Sequence, residues 1–127
     1  MIKEVINIKG APQAIGTYSQ GIRIGNFIFT SGQIPINPQT GNLKTDDIKA
    51  EIRQVLDNLN AVLEGSGSAL QSTVKLTVFV TDLGYFSEMN EVFNEYFPEK
   101  PPARSAIQVS ALPMGARIEI EAIGVVE

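Results

Sequence analysis

Two neighbouring stretches decide the fold: Pro101-Pro102-Ala103-Arg104-Ser105-Ala106-Ile107-Gln108-Val109 and Ala116-Arg117-Ile118-Glu119-Ile120-Glu121-Ala122-Ile123-Gly124-Val125. Both alternate with period two, which predicts a strand in each. In the first, Ser105, Ile107 and Val109 point one way and Arg104, Ala106 and Gln108 the other. In the second, Ile118, Ile120, Ala122 and Gly124 share a face, opposite Arg117, Glu119, Glu121, Ile123 and Val125. If the apolar face of each strand looks into the core, Arg104 and Glu121 lie together on the other face. That other face is itself apolar at its far end, through Ile123 and Val125, and a strand apolar on both sides needs cover on both. In a chain this short the second cover is expected from another subunit. A carboxylate at the rim of such a surface is costly unless it is paired or used.

The composition narrows the chemistry. The chain has 127 residues, 43% hydrophobic and 19% charged, as expected of a single globular domain spanning residues 1–127. It has no cysteine and no histidine. Disulfides, thiol nucleophiles, thiolate or imidazole metal sites and Ser-His-Asp chemistry are therefore out of reach, and no metal site is expected. Catalysis has to rest on carboxylates, Arg, Lys, hydroxyls or the backbone. The net charge is −4 with no run of Lys and Arg, so no nucleic-acid footprint is expected. Met1-Ile2-Lys3-Glu4 does not read as a secretory signal and no apolar run approaches ~18 residues, so no membrane partner is expected and the expected compartment is the cytoplasm.

Along the chain, Lys3 to Ile8 reads as a first strand, followed by a turn-rich loop through Gly21. Ile22-Arg23-Ile24 and Phe27 to Gly32 read as a hairpin joined by Gly25-Asn26. A polar loop from Pro35 to Thr45 leads to the first helix, capped by Asp46 or Asp47. Its stripe is Ile48, Ile52, Val55, Leu56, Leu59, Val62 and Leu63, and Gly65 and Gly67 stop it. Thr73 to Thr81 alternates as a strand, with Val74, Leu76, Val78 and Val80 inward. Asp82 opens a second helix that buries Phe86, Met89, Phe93, Tyr96 and Phe97 and closes at Pro98, Pro101 and Pro102. The order βββαβαββ predicts an α+β domain, a six-stranded mixed sheet with both helices on one face. Lys75, Thr77 and Phe79 belong to the uncovered face.

The quoted strands and two further stretches carry a resemblance. Gly16-Thr17-Tyr18-Ser19-Gln20-Gly21, Thr30-Ser31-Gly32-Gln33-Ile34-Pro35, Pro102-Ala103-Arg104-Ser105 and Ile118-Glu119-Ile120-Glu121-Ala122 resemble the RidA (YjgF) family of reactive-intermediate deaminases. Some of its members carry the older label of L-PSP endoribonuclease or translation inhibitor. The resemblance runs from about Pro12 to the last residues, with the motifs in order.

It implies a chorismate-mutase-like subunit assembled as a homotrimer, with clefts between adjacent subunits. It also implies a further strand between the final two, which would leave Arg104 and Glu121 on one face about 10 Å apart. The implied reaction is hydrolysis of small 2-imino acids and their enamine tautomers to 2-keto acids and ammonia, without a cofactor. Arg104 is implied to grip the substrate carboxylate, and Glu121 to activate water. Tyr18, Ser31, Gly32 and Asn90 are implied to line the cleft, with a backbone amide near Gly32 or Ala106 helping. Glu119 lies on the same face as Glu121 and is its rival. Relatives often carry cysteine where this chain has Ala106, so a thiol cannot be required here.

Each of these residues also has a plain structural reading: Arg104 as an interface ion pair, Glu121 as its partner, Tyr18 as packing, Ser31 as a strand-end residue, and Asn90 as a buried amide. Two other functions compete with the deaminase. One is a non-catalytic sensor of small carboxylates. The other, weaker for want of histidine, cysteine and a basic patch, is an endoribonuclease or translation inhibitor.

Overall fold

The computed structural model describes residues 2–127. Six strands and two helices follow the order β1 Glu4–Ile6, β2 Gly21–Ile24, β3 Phe27–Thr30, α1 Ile48–Gly65, β4 Thr73–Val80, α2 Phe86–Tyr96, β5 Ala103–Gln108 and β6 Ile118–Val125. They form one mixed sheet in the spatial order β1-β2-β3-β6-β4-β5. β4 lies between β5 and β6, parallel to the first and antiparallel to the second, so the inserted strand implied by the resemblance is present. Because β4 and β5 run parallel, their connection must cross over, and α2 is that crossover.

Both helices pack on one face. Asp47 caps α1, its side chain accepting from the Ala50 amide at 2.9 Å. Ile52, Val55, Leu56, Leu59, Val62 and Leu63 of its stripe are fully buried against Ile28, Leu76, Val78, Ile118 and Ile120. At roughly 25 cal/mol per Å² of apolar surface this stripe is a principal source of stability. Asp82 caps a 3₁₀ turn at Leu83–Tyr85, through the Gly84 amide at 2.7 Å, and α2 begins only after it. The sheet's other face carries Val5, Phe27, Phe29 and Ile107, exposed to 63%, 49%, 44% and 45%. An apolar sheet face this open is the surface that the alternation at Ile123 and Val125 predicted to need a second cover.

Three expectations are corrected. Val74 is exposed, because a register irregularity between Thr73 and Lys75 turns it out of the inward row. Phe86 is also exposed, although its spacing placed it in the core. The third correction bears on function. β5 pairs Arg104 with Leu76 and Ala106 with Val78, whereas β6 pairs Glu121 with Thr77 and Glu119 with Phe79. Paired residues share a face, so Arg104 and Ala106 are on the helix side and both glutamates are on the open side. Arg104 and Glu121 therefore do not share a face. The pattern misled because β5 is an edge strand, where exposed Ile107 is no guide to the core.

Candidate active site

The open-face carboxylates meet the chain just after β3. Phe29 pairs with Ile123 of β6, but the next paired position, Gln33, faces Ile120, one residue out of step. The extra residue makes a bulge at Thr30–Gly32, a device common beside functional sites. Within it the Thr30 hydroxyl takes the place of a backbone acceptor, receiving the Ala122 amide at 3.0 Å. Gln33 and Ile120 then exchange backbone hydrogen bonds of 2.9 and 3.1 Å, which clamps Gly32 over Glu119. A Cβ at position 32 would sit 2.6 Å from Glu119 Oε2, so only glycine permits this approach.

A cavity of about 90 Å³ opens here, its lining including Tyr18, Gln20, Gly32, Ile34, Met114 and Glu119. Burial, and then the negative charge of Glu121, push the Glu119 carboxyl above its ordinary range. Glu121, two residues along, is exposed. Of the two glutamates, Glu119 is thus the one lining a pocket.

The loop bearing Tyr18 is held by its neighbours. Buried Gln20 accepts the Ile8 amide at 2.7 Å and donates to the carbonyls of Ile8 and Pro12 at 3.0 and 2.9 Å. The Ser31 hydroxyl donates to the Ser19 carbonyl at 2.5 Å. Ser31 thereby ties β3 to the loop bearing Tyr18. Half-exposed Tyr18 stands at the cavity wall.

Arg104 occupies a different place. It lines a second hollow of about 370 Å³, with Asn90, Phe93, Phe97 and Pro102 among the other walls. Its guanidinium carbon lies 5.2 Å from the ring centres of both Phe86 and Phe93, and Nη1 donates to Asn90 Oδ1 at 2.9 Å. Phe86, Asn90 and Phe93 follow one another at spacings of four and three, a single helix face forming a slot. Aromatic faces suit a delocalised cation. Among the described residues no carboxylate pairs with Arg104. Asn90 is exposed and accepts from Arg104 rather than being a buried amide. Ala106 packs against the core.

Tyr18, Gly32 and Glu119 therefore come together, as do Arg104 and Asn90, and the two cavities share no lining residue. The periodic spacing of Phe86, Asn90 and Phe93 was a legible signal for the slot. The Gly32–Glu119 contact had none, since a bulge erases the register.

A sequence model of the family described as Endoribonuclease L-PSP matches residues 8–126. The chain belongs to the L-PSP (RidA/YjgF) family. Within it, a RutC family protein of Pyrococcus abyssi is 52% identical over 123 residues, covering 97% of each chain. Reactive Intermediate Deaminase A, chloroplastic, of Arabidopsis thaliana is 43% identical over 121 residues, 95% of this chain and 65% of that protein. The crystal structure of E. coli TdcF with bound serine superposes with a TM-score of 0.93 at 41% identity, covering 98% of this chain and 99% of that one. The six-stranded sheet with two helices on one face is the fold of this family's solved structures.

Proposed function

We propose that the protein hydrolyses small 2-imino acids to 2-keto acids and ammonia, in clefts between the subunits of a homotrimer. The observation that carries this reading is Arg104, a clamped and stacked cation with no carboxylate partner among the described residues. Its planar fork suits bidentate capture of a substrate carboxylate. The complementary half is Glu119 over Gly32, which an adjacent subunit would bring opposite Arg104. The apolar open face supplies the surface for that assembly. A relative named reactive intermediate deaminase, and another solved with serine, a small carboxylate, point to the same ligand class.

In this arrangement Glu119, rather than Glu121, takes the acid–base role. Its carboxylate accepts a proton from water as the oxygen attacks the C=N carbon. It returns that proton to nitrogen to give the carbinolamine, then carries the carbinolamine hydroxyl proton to the amine as the C–N bond breaks, leaving the keto acid and ammonia. Water and imine go in, keto acid and ammonia come out, and no electrons change hands. A carboxyl whose pKa burial raises above its ordinary range is better suited both to take and to give a proton. Substrates such as 2-iminopropanoate and 2-iminobutanoate are electrophilic already, so fixing the water contributes most of the acceleration.

The test generates the imine in situ with an amino-acid oxidase or threonine dehydratase and follows its loss. Wild-type protein should accelerate that loss and Arg104→Ala should not, while remaining a trimer. Undiminished turnover by Arg104→Ala would refute the assignment. Saturable keto-acid binding without ammonia release would favour a carboxylate sensor built on the same Arg104.

A further inference from the structure

The wall of the Glu119 cavity contains one segment of strained backbone. Met114, in the turn Pro113–Gly115, has φ 58° and ψ 18°, the left-handed region that side chains other than glycine and asparagine rarely adopt. Gly115 follows at φ 71°. Two backbone hydrogen bonds hold the turn, from the Gly115 amide to Leu112 at 3.2 Å and from the Ala116 amide to Pro113 at 3.1 Å. The next residue is an anchor. Arg117 donates from Nε to buried Glu51 at 3.2 Å and from Nη2 to the Asp46 carbonyl at 3.1 Å, with its guanidinium carbon 5.3 Å from the Tyr85 ring centre. The turn is therefore bolted to the start of α1.

Packing does not explain Met114. It is 54% exposed, outside the core, and yet it lines the cavity together with Pro113 and Ile15. A large apolar side chain, outside the core and on an unfavourable backbone, is a local cost that core packing does not offset. The cavity it bounds, about 90 Å³, is small. That is well below the roughly 300–1,000 Å³ usual for ligand pockets, so little room remains beneath Met114 within this subunit.

We propose that Met114 is a specificity-determining residue that limits the length of the substrate side chain. Resting on the deaminase reading, this adds a size filter: side chains of one or two carbons fit beneath Met114, and longer branched ones meet it. Because a thioether is flexible, the limit is graded rather than absolute.

The experiment measures kcat/KM for the imines of alanine and leucine, generated by an amino-acid oxidase, with wild-type protein, Met114→Ala and Met114→Gly. Glycine accepts the left-handed backbone without strain, so that variant keeps the turn and guards against misfolding. The leucine-to-alanine ratio should rise about tenfold or more in both variants. An unchanged or lower ratio would overturn the filter. If wild-type protein hydrolyses neither imine, the deaminase reading fails on its own. The filter is then read calorimetrically, from the relative affinities of wild type and Met114→Gly for 4-methyl-2-oxopentanoate and pyruvate. The same tenfold shift toward the longer acid supports it, and equal ratios overturn it.

Discussion

The slot around Arg104 and the cavity around Glu119 both hold a charged group at a half-covered surface, and they treat it in opposite ways. Arg104 is stabilised as a cation, by two aromatic faces and an amide oxygen. Glu119 is crowded as an anion, by burial and by a second carboxylate. Among the described residues Arg104 has no carboxylate at ion-pair distance, and Glu119 has no cation. On the proposed reading, each region supplies what the other is missing.

The contrast breaks most sharply at the two glutamates. Glu119→Gln should lower imine hydrolysis by about 10²–10⁴-fold, the usual worth of a positioned acid–base group. Glu121→Gln should stay within a few-fold of wild type; steady-state kinetics of the pair decides between them. A smaller effect is expected at Gly32. Alanine there would place its Cβ 2.6 Å from Glu119 Oε2. The displaced carboxylate should reduce kcat about tenfold, and thermal unfolding should register a loss of about 1–2 kcal/mol from overpacking.

The smallest effect is one of pH. A carboxyl whose pKa is raised on folding binds its proton more tightly in the native state, so stability is lost as pH climbs from the ordinary carboxylate range through the raised value. Urea titrations across that window should show Glu119→Gln gaining stability over wild type toward neutral pH, with the gain shrinking as pH falls. No such gain would mean that the Arg104 brought opposite it by the neighbouring subunit offsets this burial in the assembled protein.

Much of this was legible before any coordinates. Periodicity placed both helices and the long strands because their apolar stripes were long and one-sided, as in Ile52 to Leu63. The open apolar face showed in Ile123 and Val125. Short edge strands were harder. β5 alternates between two faces of similar polarity, so Arg104 was assigned to the wrong side of the sheet. The choice between Glu119 and Glu121 depended on a bulge that shifts pairing by one residue, and local sequence carries no mark of it. Arg117 and Glu51 pair across 66 positions of chain, beyond the reach of any short-range pattern.

The central claim, that one subunit's Arg104 works with its neighbour's Glu119, has a direct test in mixed trimers. Arg104→Ala and Glu119→Gln chains, each inactive alone, are co-expressed in equal amounts and assayed together. In a head-to-tail ring each interface needs an intact Arg104 on one side and an intact Glu119 on the other. With random assembly each has a probability of one half, so about one quarter of wild-type activity should return. No activity in demonstrably mixed trimers would place both residues of each site in a single chain and contradict the account.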